Sequence, residues 1–294
     1  MDGFKLTAWN IEHADKLVDA LTDAREAVRT RAEQRLDAIR DEIAALAPDI
    51  LLVSEGPNGE ARARTFFDVV APVHDLVVRG SADRRDYGMQ GNVSSGPQWL
   101  WFLVRKGLGV RAELLHLDRW QAMTEAASRG EHKNGRWDVS LPRLVEDRLE
   151  FEIDRRHGHW RHPQVLQVTV GEVFFEVIGG HLKSKISFER PVGRPDDDDF
   201  FAKNPGLVAD LVKSRVKITT ECADIRHYID QRFAADPSAA LIVCGDFNDG
   251  PGKERIERRF LYHDLIGTLQ GEVFFARRFL NHALFDYEEA QRLL

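Results

Sequence analysis

The sequence predicts an α/β fold, a four-layer α/β sandwich in which two mostly antiparallel β-sheets pack face to face with outer helices. Three observations lead there. Apolar, strand-like runs recur along the chain at residues 4–11, 49–55, 73–79, 97–104, 109–117, 163–170, 173–180 and 239–244. Only a few long helical segments join them, so a helix does not follow each strand as a parallel sheet requires. No Gly/Ser or Pro linker and no repeat of about 20–50 residues divides the chain, which points to one domain spanning residues 1–294.

The elements follow in order. FKLTAWNI carries β-formers and ends near Asn10, which reads as a first strand. Residues 16–47 are charged, with Leu36, Ile39, Ile43 and Leu46 recurring at three and four, the period of one long helix. Pro48 ends it. DILLVSE then reads as a buried strand that stops at Glu55, before the Gly56-Pro57 break. A helix over about 206–233 leads into the strand at 239–244, and residues 272–294 read as a final helix. Residues 119–147 and 187–205 read as long surface loops; the aspartates 196–199 within the second are expected to be a solvated charge run.

Composition limits the function classes. At 294 residues, 43% hydrophobic and 30% charged, the chain has material for a substantial core under an ordinary soluble surface. No run approaches the roughly twenty apolar residues of a membrane helix, and MDGFKLTAWNI has no signal-peptide pattern, so a cytoplasmic protein without a membrane span is expected. Cys222 and Cys244 have no His or Cys companions at zinc-ligand spacing, and the pair cannot make a disulfide scaffold. The net charge of −7 argues against an extended basic stripe for nucleic acid, and suits a site where a divalent metal supplies the positive charge. There is no G-x-S-x-G elbow, Walker loop, H-E-x-x-H or G-x-G-x-x-G after a strand.

Chemistry-bearing residues punctuate the ends of four apolar runs: TAWN at Asn10, LLVSE at Glu55, VIGGH at His181, and IVCGDFN at Asp246 and Asn248. Polar groups at strand ends can converge on one rim while the strands bury the core. The set suits phosphoester hydrolysis. Glu55 offers a hard oxygen to Mg²⁺, which keeps several waters and takes one or two protein carboxylates. Asn10 can add a neutral oxygen or fix that carboxylate from behind. Asp246 can orient or deprotonate the attacking water. Asn248 can donate to that water or to developing phosphorane oxygens, and His181 to a non-bridging phosphate oxygen.

At these residues the sequence resembles the endonuclease/exonuclease/phosphatase (DNase I-like) superfamily. WNIE at 9–12 looks like its first motif, and DILLVSE at 49–55 its second, with Ser54-Glu55 where Gln-Glu is usual. RHPQVLQVTV followed by FFEVIGGHLKSK is similar to the Arg/Pro strand and the His-Leu-Lys-Ser motif. VCGDFND at 243–249 looks like the Gly-Asp-Phe-Asn motif and is the most specific match. The resemblance implies a hydrolase of phosphodiester or phosphomonoester bonds, a nuclease among the options, with Mg²⁺ or Mn²⁺ as cofactor. The substrate would be nucleic acid or a small phosphorylated molecule. Glu55 would be the principal metal ligand, with Asn10 a ligand or a residue just behind. His181 would stabilise phosphate, and Asp246 with Asn248 would activate and position water. Arg161 stands at the Arg-x-Pro position, where it can order loops or meet phosphate, and Lys183 can bind a second phosphate.

One part of the family pattern is missing. The superfamily closes with an Asp-His pair on a last strand, and the nearest counterpart here is Asn281-His282, in a segment of helical period. Either His282 serves from an unusual local structure, or the chain stops before the last strand, or the site is incomplete. The last case makes the alternative a binding or scaffold protein that keeps the fold without the chemistry.

Overall fold

The computed structural model describes residues 4–78, 98–115, 139–146, 148–154, 161, 163–249, 254–260, 265–272 and 278–283. In chain order its elements are β1 (Leu6–Asn10), α1 (Ala14–Ala20), α2 (Glu26–Leu46), β2 (Ile50–Gly56), α3 (Glu60–Val70), β3 (His74–Val77), β4 (Trp99–Arg105) and β5 (Arg111–Leu114). There follow β6 (Val139–Val145), β7 (Arg148–Asp154), β8 (Gln164–Val170), β9 (Val173–His181), α4 (Phe200–Lys203), α5 (Pro205–Ala235), β10 (Leu241–Asp246), α6 (Arg255–Phe260) and α7 (Leu265–Gln270). The chain divides into two compact units, one of residues 1–119, 159–182 and 240–247, the other of residues 120–158, 183–239 and 248–294.

The first unit holds two four-stranded sheets, ordered β1-β2-β4-β3 and β10-β9-β8-β5. Each has one parallel pair, β1 with β2 and β9 with β10, and is otherwise antiparallel. Face-to-face packing is visible at Gly179 of β9, where an added Cβ would lie 2.9 Å from both Leu52 and Phe102 of the other sheet. Leu52 and Phe102 are register partners. Because strand side chains alternate, their neighbours Leu51, Val53, Trp101 and Leu103 point to the opposite face. All four are buried, in one core with Leu17 of α1, Ile39 and Ile43 of α2, and Phe66 and Phe67 of α3. The expected architecture, two mostly antiparallel sheets face to face with helices outside, is the one found.

Local departures have local causes. The helical period over 16–47 is carried by two helices. The Asp23 carboxylate accepts hydrogen bonds from the Arg25 backbone N–H (2.9 Å) and guanidinium (3.0 Å), a turn between α1 and α2 that a helix interior does not accommodate. The expected terminal helix is absent from the described residues 278–283, where the Leu280 N–H donates to the Gln270 carbonyl at 3.0 Å. The first expected loop instead enters a hairpin.

The second unit contains that hairpin, β6 paired antiparallel to β7, together with α4–α7. Leu149, Phe151 and Ile153 of β7 are exposed, so period-2 alternation there does not mark a buried face. α5, 31 residues long, opens on Pro205, a residue suited to a first helical turn. Its Arg215 is buried and pairs with Glu257 at 2.7 Å and Glu254 at 2.6 Å. Lys185 joins this cluster through Asp249 and, at 3.0 Å, Glu257. No helix among the described residues is long and apolar enough to cross a membrane.

Candidate active site

Parallel pairing is what gathers the site. In β1 and β2 the register sets Asn10 beside Ser54, with Glu55 next along. In β9 and β10 it sets Asp246 beside His181. Each parallel pair therefore carries its polar residues at the carboxyl ends, one pair in each sheet of the first unit, the strand ends where ligands of α/β sheets commonly lie.

Two backbone features make the convergence possible. The β2–β4 register shifts between Val53 and Gly56, an irregularity of the kind that re-aims a side chain, and Glu55 sits inside it with φ +59°. On the other side, Gly245 has φ +135°, and an added Cβ would come 2.0 Å from the Gly180 carbonyl oxygen. Only glycine allows β10 to approach β9 this closely just before Asp246.

The side chains meet through Asn10. Its Nδ2 donates to Asp246 Oδ2 at 2.7 Å and to Glu55 Oε1 at 3.2 Å, while its Oδ1 accepts the Glu12 N–H at 2.9 Å. The amide thus turns its nitrogen to the two carboxylates and its oxygen away from them. Glu55 Oε2 accepts the His13 backbone N–H at 2.9 Å and Gln98 Nε2 at 2.8 Å. Burial pushes the Glu55 carboxyl up, but the His13 N–H, the Asn10 amide and the nearby His181 and His13 rings outweigh it, and its pKa lies below the ordinary value.

His181 is 4% exposed and faces both acids, with Nε2 3.9 Å from Glu55 Oε1 and 3.8 Å from Asp246 Oδ2. Both gaps exceed a hydrogen bond. Burial, then the Arg161 guanidinium, lower its pKa to about 4 against the pull of Asp246 and Glu55, so the ring is neutral at pH 7. Its buried Nδ1 has no hydrogen-bond partner among the described residues. Arg161 reaches the site indirectly, donating to Gln98 Oε1.

Of the expected residues, Asn10, Glu55, His181 and Asp246 come together in the first unit, with Arg161 behind Gln98. Asn248 and Lys183 belong to the second unit. Asn248 has φ +52°, and the Lys183 backbone N–H donates to Glu221 at 2.8 Å while its ammonium donates to the Ser184 carbonyl at 3.1 Å. His13, close after Asn10 in sequence, lies against Glu55, its Nδ1 3.2 Å from Oε2. Gln98 carries little sequence signal, a polar residue between Pro97 and an apolar run. The thiols of Cys222 and Cys244 are both pushed up by burial, Cys244 to about 12, and neither is poised as a nucleophile.

The donor set decides which cation it suits. Among the described residues no three His, Cys, Asp or Glu side chains form a metal-holding group by themselves. Two carboxylates fixed by one amide match a hard cation that keeps most of its waters, as Mg²⁺ or Mn²⁺ does.

No protein-family model and no curated protein matches the chain. Solved structures similar to it include truncated Caenorhabditis elegans TDP2, at 14% identity over 84% of this chain and 63% of that one, TM-score 0.41. The catalytic domain of human Nocturnin with bound sulfate anion is 15% identical over 87% and 68%, TM-score 0.41. A β-hairpin deletion mutant of beta toxin from Staphylococcus aureus is 13% identical over 92% and 74%, TM-score 0.46. All are members of the DNase I-like superfamily. The chain spans 47% and 48% of two further C. elegans TDP2 structures.

Proposed function

We propose that this protein is a divalent-metal-dependent phosphoesterase, hydrolysing phosphodiester or phosphomonoester bonds by attack of an activated water. One observation carries the reading: Glu55 and Asp246, from different sheets, share the Asn10 amide in front of a buried, neutral His181. A purely structural site has little use for two carboxylates held this close, since like charges destabilise each other unless a cation joins them.

In this reading Glu55 would hold Mg²⁺ or Mn²⁺, and Asn10, whose nitrogen faces the acids, acts by fixing both carboxylates. When bound, the cation supplies Lewis-acid polarisation of the phosphoryl oxygen and offsets developing charge. Asp246 takes the proton of the attacking water at a carboxylate oxygen. His181, neutral, donates its ring N–H to a non-bridging phosphate oxygen. The substrate is a nucleic acid or a small phosphorylated molecule, and the surroundings are those of the cytoplasm.

The test is a hydrolysis screen with bis-p-nitrophenyl phosphate, p-nitrophenyl phosphate, supercoiled plasmid and short oligonucleotides, with Mg²⁺, Mn²⁺ or chelator. Metal-dependent turnover on one of them supports the proposal. No turnover on any, with metal binding intact, favours the binding-protein alternative.

A further inference from the structure

Glu55 is bonded unequally at its two oxygens. Oε2 accepts the His13 N–H at 2.9 Å and Gln98 Nε2 at 2.8 Å, and His13 Nδ1 lies 3.2 Å from it. Among the described residues Oε1 accepts one hydrogen bond, the longer 3.2 Å contact from Asn10. A carboxylate oxygen has two lone-pair sites. Among the described residues those of Oε2 are taken and Oε1 keeps one, with His181 Nε2 3.9 Å from it.

Gln98 supplies one of the two donors that create this asymmetry, and its amide has a single workable orientation. Nε2 donates to Glu55 and lies 3.1 Å from His13 Nδ1, while Oε1 accepts from Arg161. A flipped amide would set its oxygen against the Glu55 carboxylate and its NH₂ against a guanidinium, which has no acceptor. Arg161 therefore determines which way Gln98 points. The residue also holds φ +85°, a conformation that side-chain-bearing residues rarely adopt and that the surroundings must impose.

We infer that Gln98, oriented by Arg161, is a positioning residue that occupies Glu55 Oε2 and reserves Oε1 for the metal ion. The inference rests on the reading of Glu55 as a metal ligand. It gives Arg161 a role different from direct phosphate contact: the guanidinium acts on the metal carboxylate through one intervening amide. Partners of this kind behind a ligand typically change metal affinity or activity by about 10–100-fold.

Mn²⁺ titration followed by calorimetry tests this on the full chain, for wild type, Glu55→Gln, Gln98→Met, Arg161→Met and the Gln98→Met/Arg161→Met double variant, each with a thermal melt in chelator. Gln98→Met keeps the side chain's length and removes its donors. Its Mn²⁺ affinity is expected to fall by about 10–100-fold. Adding Arg161→Met to it should lower affinity by less than about twofold more, because linked residues are not additive. If Gln98→Met melts, Gln98→Asn replaces it; asparagine tolerates positive φ but cannot reach Glu55. Wild-type affinity in folded Gln98→Met, with binding lost in Glu55→Gln, overturns the inference and leaves the proposed function standing. Equal losses from Arg161→Met in both backgrounds overturn the relay. A wild-type chain that binds no Mn²⁺ removes the proposed metal site, and this inference with it.

Discussion

The Asn10 side-chain amide donates to Asp246 Oδ2 at 2.7 Å, joining the last residue of β1 in one sheet to the last residue of β10 in the other. The same NH₂ reaches Glu55, so one neutral group sets the spacing of two acids.

Replacing Asn10 by alanine removes both bonds and leaves the acids facing each other. A hydrogen bond to a charged acceptor contributes about 1.5–3 kcal/mol, so with two removed a urea melt in chelator should show a loss of at least about 1.5 kcal/mol. Saturating Mn²⁺ should restore part of it, because a ligand that binds only the folded state stabilises it. An Asn10→Ala protein as stable as wild type would show that the bridge carries no weight.

The low pKa of His181 has a stability consequence with a definite sign. Its folded pKa of about 4 is below the ordinary 6.5, so between these values the unfolded chain binds more protons. Stability should be complete above about pH 6.5 and decline as pH falls toward 4. The lowered Glu55 pKa acts in the same direction at lower pH. His181→Gln in chelator should flatten the slope of stability between pH 6.5 and 4. An unchanged slope would mean that the ring is not held neutral by its surroundings.

Gly245 and Gly107 separate backbone strain from collision. Gly107 has φ +79° with nothing within 4 Å of an added Cβ, whereas at Gly245 the Cβ would meet the Gly180 carbonyl oxygen. Gly107→Ala should cost about 1 kcal/mol, from the left-handed backbone alone. Gly245→Ala should cost more than about 3 kcal/mol or prevent folding, since two backbones would have to part. Chemical denaturation of both variants side by side checks this, and equal costs would contradict the close β9–β10 approach.

The parts of this arrangement legible from sequence are those where burial writes a pattern. The runs before Asn10, Glu55, His181 and Asp246 belong to strands β1, β2, β9 and β10, and β2 in particular is buried almost throughout, leaving a continuous apolar stretch with a polar residue at its end. The hairpin β6–β7 was not legible: Pro142 and several charges interrupt it, and its alternating Leu149, Phe151 and Ile153 are exposed. The break at Asp23 was hidden because both flanking segments keep a helical period. Gln98 and His13 depend on a carboxylate more than forty residues away in the chain, contacts created by tertiary structure that no local spacing encodes.

The proposed role of the Glu55–Asn10–Asp246–His181 cluster as a metal-assisted hydrolytic centre can be read from steady-state kinetics of Asp246→Asn beside wild type on the best diester or monoester substrate. The Mg²⁺ concentration is varied and a chelator control included. Wild-type turnover is expected to saturate with Mg²⁺ and to vanish in chelator. The Asp246→Asn kcat should be lower by about a hundred-fold or more with KM nearly unchanged, because a positioned base acts in the transition state. Turnover indifferent to chelator, or an Asp246→Asn variant that raises KM alone and keeps kcat, would contradict it.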